Sequence, residues 1–264
     1  MPYLAKKMSN NILILGATRG LGASLRKLYA TNPSTKTVFA TARGNSPPES
    51  NESHTTWLTN IDVSQPDVGQ KLTSQLPSST EISTAIISAG YFGFESFDNP
   101  DWEKQVKMYT TSAIGPVFVV QNLVKAGFLS EGSKVILVSS ESGSIKLRHE
   151  KEGGGNYGHH ASKSALNMVG KLLSLDLKDK GIAVGLVHPG FMRTEMTKSV
   201  GFDKFWDAGG AVTPDQSAES LASFIEDFDI SKTGQYWAPR GPGDIGTADA
   251  VLGSDLPTPL QLPW

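Results

Sequence analysis

Short apolar runs recur along the chain, and each is followed by a segment with helical spacing. Asn11–Leu15 (NILIL), Thr37–Thr41 (TVFAT), Thr55–Ile61, Thr84–Ile87, Lys134–Val138, Ile182–Val187 and Gln235–Ala238 carry many β-branched residues. Short continuous runs of this kind suit strands buried on both faces. Between them, apolar residues return every three or four positions, as at Leu21, Leu25 and Leu28. This spacing predicts helices over Leu21–Ala30, Val68–Leu76, Trp102–Met108, Ala113–Ala126, a stretch running through Ala161 to Leu177, and Ser217–Phe228. The fourth is expected to break or bend near Gly115-Pro116, because proline lacks the N–H a helix interior needs. Alternating strands and helices predict an α/β fold with a doubly wound, mostly parallel sheet. Ligands in such sheets sit at the carboxyl ends of the strands.

The first strand ends in Gly16-Ala17-Thr18-Arg19-Gly20-Leu21-Gly22. Strand, glycine turn and helix are the context in which a backbone approaches a pyrophosphate and a helix N-terminus offers N–H groups. The spacing is Gly-x-x-x-Gly-x-Gly, and the alternative reading is a tight βα turn with no ligand. The second strand ends in Thr41-Ala42-Arg43, without the acid that favours an unphosphorylated ribose. Arg43 and Arg19 are suited to hold a 2′-phosphate by charge-assisted hydrogen bonds, which argues for NADP; otherwise they are merely solvated.

Composition narrows the partners. The 264 residues are 38% hydrophobic with a net charge of -2, enough for a large core and without a basic patch for nucleic acid. There are no cysteines, so disulfides and thiolate chemistry are excluded and a reducing compartment is favoured. The opening MPYLAKKMSNNILILG has too short an apolar run for a signal-peptide core or a membrane span. A cytoplasmic protein acting on a small molecule, with no metal centre, is the expectation.

The segment GGNYGHHASKSALNM, Gly154–Met168, gathers polar groups around one cation. His159 lies four residues before Lys163 and shares its face of the helix, with Asn156 available as a cap. Tyr157 is two residues further back, about 200° around an ideal helix.

Together, GATRGLG at 16–22, Asp62-Val63, SAG at 88–90, VSSESGSI at 138–145, ASKSALNM at 161–168 and HPGFMRTEM at 188–196 resemble the short-chain dehydrogenase/reductase family. The likeness runs over essentially the whole chain and is nearest a fungal branch similar to the bacterial C-factor signalling protein; LPW at 262–264 also resembles that fungal branch. It implies a single Rossmann-type domain over 1–264. It also implies dinucleotide contacts from Gly16, Thr18, Arg19, Gly20, Leu21, Gly22, Arg43, Asp62, Val63, Ser88, Ala89, Gly90, Lys163, Pro189, Gly190 and Thr194. A homodimer or homotetramer is implied by the resemblance as well; Leu166, Val169, Leu172 and Leu173 read as core or subunit contact.

Members of the family use an Asn-Ser-Tyr-Lys set. By resemblance the lysine is Lys163 and the serine Ser140, with Ser142 as the other reading. The tyrosine position holds His159 and the asparagine position holds Ser112. This exchange changes the chemistry. A neighbouring cation draws a tyrosine down from ~10, towards a useful acid, but pushes a histidine below ~6.5 and keeps it neutral. Either Tyr157 swings in over the flexible glycines before it, or His159 acts as a base; otherwise His159 and His160 are a partly exposed pair without a role. The segment 196–213 reads as a substrate lid. Phe202, Phe205 and Trp206 read as an apolar wall or as packing, and Tyr91, Phe92, Phe94 and Phe97 as the opposite wall. The expected function is an NADP-dependent oxidoreductase on a carbonyl, enone or imine of an apolar metabolite. The alternatives are a redox-silent cyclase, isomerase or dehydratase on the same fold, or an NADP-binding signalling protein.

Overall fold

The computed structural model describes residues 10–46, 48 and 52–264. Residues 1–9, which open the segment read for targeting, and part of the Gly44–Ser53 loop lie outside the described residues.

The apolar runs form strands β1 (Asn11–Leu15), β2 (Thr37–Thr41), β3 (Thr55–Leu58), β4 (Thr84–Ile87), β5 (Lys134–Val138), β6 (Ala183–Val187) and β7 (Tyr236–Ala238). A short β8 (Leu260–Gln261) adds to them. They make one sheet in the order β3-β2-β1-β4-β5-β6-β7-β8, parallel throughout except for the antiparallel β7–β8 pair. The Rossmann-type doubly wound sheet expected from the sequence is therefore present. Two expectations change: β3 stops at Leu58 rather than Ile61, and β8, not β7, forms the far edge.

Both sheet faces are buried, which is why the strands read as continuous apolar runs. Leu13 and Leu15 point to one face, and Ile12 and Ile14 to the other. The first face is covered by helices α2 (Val68–Gln75), α4 (Gly115–Lys125) and α5 (Tyr157–Leu177), through residues such as Leu72, Val119 and Leu166. The second is covered by α1 (Gly20–Thr31) and α7 (Pro214–Glu226), through Leu25 and Leu221. Helix α3 (Trp102–Tyr109) and the short α6 (Glu195–Ser199) and α8 (Ala248–Leu252) lie at the periphery of this arrangement.

The expected break near Pro116 is a π-turn over Thr110–Ile114, in which the Gly115 N–H donates to the Thr110 carbonyl five residues back. Helix α7 begins three residues earlier than expected. Thr213 and Gln216 form a reciprocal capping box, with Pro214 opening the helix. The strand order reverses at β1 and β4, and the glycine turn Gly16–Gly22 and Ser88–Gly90 lie at the carboxyl ends of these strands.

Candidate active site

The β1–α1 turn is a backbone cradle. Gly16 and Gly20 have φ of 84° and 54°, where side chains are disfavoured. A methyl group on Gly22 would overlap the Gly16 carbonyl oxygen. The Gly16 N–H donates to Thr41 Oγ1 at 3.0 Å, tying this turn to the end of β2. Asp62 closes the turn after β3 by accepting the N–H and hydroxyl of Ser64 at 2.9 and 2.8 Å. Around these ends lies a cavity of about 100 Å³ lined by Gly16, Thr18, Arg19, Arg43, Asp62, Val63, Ser88, Ala89 and Gly90. Lys107 sits on its rim with Nζ 4.5 Å above the Tyr91 ring, a residue the sequence reading did not single out.

Arg19, Ser88 and Gly90 also line a neighbouring cavity of about 540 Å³, together with Gly20, Leu21, Ser140, Ser142, His159, Lys163, Pro189, Gly190 and Thr194. Every residue expected to hold the dinucleotide thus borders one of the two cavities, except Gly22. That glycine serves the packing inside the turn instead.

In the larger cavity, Lys163 is buried and its Nζ donates to the Val138 carbonyl at 2.9 Å. Burial lowers its pKa to about 8. The His159 ring stacks on Phe92, with centroids 4.3 Å apart and planes at 29°. Its Nδ1 is buried without a hydrogen-bond partner. Its pKa falls to about 3, from burial first and then from the charges of Lys163, His160 and Arg148. The sequence argument named only the lysine; burial is the larger cause. Ser140 has extended backbone at the end of β5, and its Oγ accepts the Ser142 N–H at 3.2 Å.

Two expected catalytic groups stand elsewhere. Tyr157 begins α5, is 41% exposed and lines neither cavity. Its hydroxyl faces Gly154, so the swing into the site is not what the structure shows. Ser112 is buried in the π-turn with its Oγ unpaired, and the neighbouring Thr111 borders the small cavity in its place. Asn156 does not cap α5: it sits at φ 49° with no side-chain cap bond. The buried carboxylate of Glu95 accepts the Gly158 N–H instead, and also the Gln105 amide at 2.9 Å.

The cavity wall is formed by Tyr91, Phe92, Phe191, Phe202 and Phe205, with Met192 and Met196. Phe202 meets Phe92 edge-on at 5.6 Å, so the segment after α6 reaches across to the loop after β4. Phe94 and Phe97 are exposed and take no part in the wall, and Trp206 instead donates from Nε1 to Thr197 Oγ1 at 3.2 Å. Sequence reasoning missed His188, Glu141 and Asp244, which line the far end. His188 was visible only as part of the HPG motif; nothing in the sequence pointed to Asp244.

A glycine cradle at a topological switch point, continuous with a lysine- and serine-bearing apolar cavity, defines a dinucleotide-dependent class of fold. Residues 10–204 match the short chain dehydrogenase family, and the chain belongs to that family. It is 29% identical over 248 residues to an uncharacterized oxidoreductase of Schizosaccharomyces pombe, covering 85% of this chain and 93% of that one. It is 30% identical over 118 residues to the C-signal of Myxococcus xanthus, covering 44% of this chain and 68% of that protein. The fold is similar to that of an NADPH-bound carbonyl reductase from chicken fatty liver, with a TM-score of 0.71, 21% identity, and coverage of 88% and 96% of the two chains. No helix among the described residues is long and apolar enough to cross a membrane, and no cluster of three His, Asp or Glu side chains among them is placed to hold a metal.

Proposed function

We propose that this chain is an NADP-dependent oxidoreductase that reduces a C=O, C=C–C=O or C=N group of an apolar small molecule. The observation that carries this reading is the meeting of Ser140, His159 and Lys163 in one aromatic-walled cavity that adjoins the glycine cradle. The residues fit the cofactor. The cradle is open backbone, and Arg19 and Arg43 border the small cavity with no ion-pair partner among the described residues. A related fold bound to NADPH supports the same choice. When bound, the cofactor supplies a hydride from its nicotinamide ring.

The chain's own groups do the rest. The helix N-terminus and cradle N–H groups receive the phosphates. Arg43 and Arg19 hold the 2′-phosphate. Lys163 donates to the nicotinamide ribose, and Pro189, Gly190 and Thr194 border the nicotinamide end. Ser140 Oγ donates to the substrate heteroatom. His159, neutral at pH 7, offers a hydrogen bond but is a poor proton source. This favours substrates whose reduction needs little acid, an iminium above all. The segment 196–213 acts as the lid of a single domain over 1–264.

The test is oxidation of NADPH, followed by nicotinamide absorbance, with a panel of apolar ketones, enones and cyclic imines. Turnover with the imines fastest is the expected result, and no oxidation with any of them rejects the reading. The neutral His159, with its Nδ1 unpaired, also favours a second reading, a redox-silent isomerisation or cyclisation with imidazole as base. Product formed without a change in nicotinamide absorbance would select it.

A further inference from the structure

One peptide group in the site is held from both sides. The carbonyl of Ser140 accepts the hydroxyl of Tyr236, and the N–H of the same peptide, on Glu141, donates to His188 Nδ1 at 3.0 Å. The two side chains come from different strands: His188 follows β6, and Tyr236 opens β7. Both are buried, His188 at 6% exposure and Tyr236 at 0%. An acceptor role at Nδ1 assigns the proton to Nε2, which lies 3.4 Å from the Asp244 carbonyl oxygen. Burial lowers the His188 pKa, so the ring keeps its acceptor. Behind Tyr236, the Trp264 ring stacks at 5.8 Å and 15°.

The surroundings explain why this peptide needs holding. Beyond Ser140 the chain makes only a short 3₁₀ turn, Glu141–Gly143, whose Gly143 N–H also donates to the Ser140 carbonyl at 2.8 Å, so Tyr236 and His188 add to a hold that a single turn begins. The carboxylate of Glu141 pairs with the Arg148 guanidinium and accepts the Ser142 hydroxyl at 3.0 Å. The orientation of one peptide plane is set by ψ of the residue before it and φ of the residue after it. Fixing the 140–141 plane at its oxygen and at its nitrogen therefore fixes the backbone that carries Ser140 Oγ. Misplacing a reacting group by about 1 Å can cost about a hundredfold in rate.

We propose that His188 and Tyr236 are positioning residues that clamp the Ser140–Glu141 peptide and so aim Ser140 Oγ into the cavity. This rests on the reading that Ser140 binds the substrate heteroatom. Asparagine is the informative replacement for His188, because its Oδ1 can accept where Nδ1 does; leucine leaves the Glu141 N–H buried and unpaired.

The experiment compares the full chain with His188→Asn, His188→Leu, Tyr236→Phe and Ser140→Ala. It reads NADPH-dependent reduction of 9,10-phenanthrenequinone, and hydrogen exchange of the Glu141 amide by NMR. In His188→Leu and Tyr236→Phe, kcat should fall roughly ten- to a hundredfold while KM for NADPH stays within about twofold. His188→Asn should recover most of the rate, and Glu141 exchange should quicken in His188→Leu but not in His188→Asn. The proposal is overturned if the leucine and asparagine variants exchange alike, or if His188→Leu turns over normally while Ser140→Ala does not. Should Ser140→Ala match the wild type, the role read for Ser140 falls, and Glu141 exchange alone decides the clamp.

Discussion

At the scale of single residues, burial and a neighbouring cation hold the imidazole of His159 neutral. His159 is half-buried against Phe92 and protonates only near 3, whereas an unfolded chain takes up this proton near 6.5. In that window the unfolded state binds more protons than the folded one, so stability rises with pH. The contribution is whole above about 6.5 and is lost as pH falls towards 3, on the order of 2 kcal/mol once cavity water is allowed for. Denaturant unfolding of the wild type and His159→Phe at pH 4.5 and 7.5 checks this. The wild type should lose more stability on acidification, and parallel losses reject the assignment. A second residue-scale prediction concerns Arg43. Replacing it by alanine should weaken NADPH binding by roughly ten- to a hundredfold, as expected for a lost hydrogen bond to a charged group, and leave NADH nearly unchanged. Fluorescence titration with both nucleotides reads it, and equal weakening would remove Arg43 from the 2′-phosphate. Helical spacing paired His159 with Lys163, because periodicity places i and i+4 together, while Ser140 came only from the family resemblance; the three border one cavity. The same periodicity set Tyr157 about 200° away from His159, and Tyr157 indeed lines neither cavity; only the suggested swing over the flexible glycines departs from the structure.

At the scale of elements, what was legible is what the backbone dictates locally. The glycine turn is an example: Gly22 packs so closely on the Gly16 carbonyl that no side chain fits. Gly22→Ala should therefore destabilise the fold by about 1–3 kcal/mol, with the backbone itself having to shift. A thermal unfolding midpoint unchanged from wild type would show that the turn relaxes freely. What was not legible depends on distant partners. Asn156 looked like the cap of α5, yet the capping oxygen comes from Glu95, in a loop beyond β4. A local pattern cannot show a cap supplied from 63 residues away. The same holds for β8, a two-residue strand that exists only because β7 offers it an edge.

At the scale of the whole molecule, one surface remains to be explained. Core-facing positions of α5 such as Leu166 are buried, but Met168, Leu172 and Leu175 on its outer face are 60%, 52% and 60% exposed. On α4, Phe118 is exposed as well. Apolar residues exposed in a row along one helix mark an interaction surface more often than a solvated one. The family resemblance implies an assembly of identical subunits, and a two-fold contact would bring this face against its own copy. The isolated chain should accordingly be a homodimer or homotetramer in solution. Leu172→Glu, which places a charge at the centre of the face and its copy opposite, should shift the protein towards monomer. Light scattering coupled to size exclusion distinguishes the two, and circular dichroism shows whether the variant keeps its fold. A wild-type monomer at micromolar concentration would leave the face to another partner. A variant that stays oligomeric would place the contact elsewhere on the molecule.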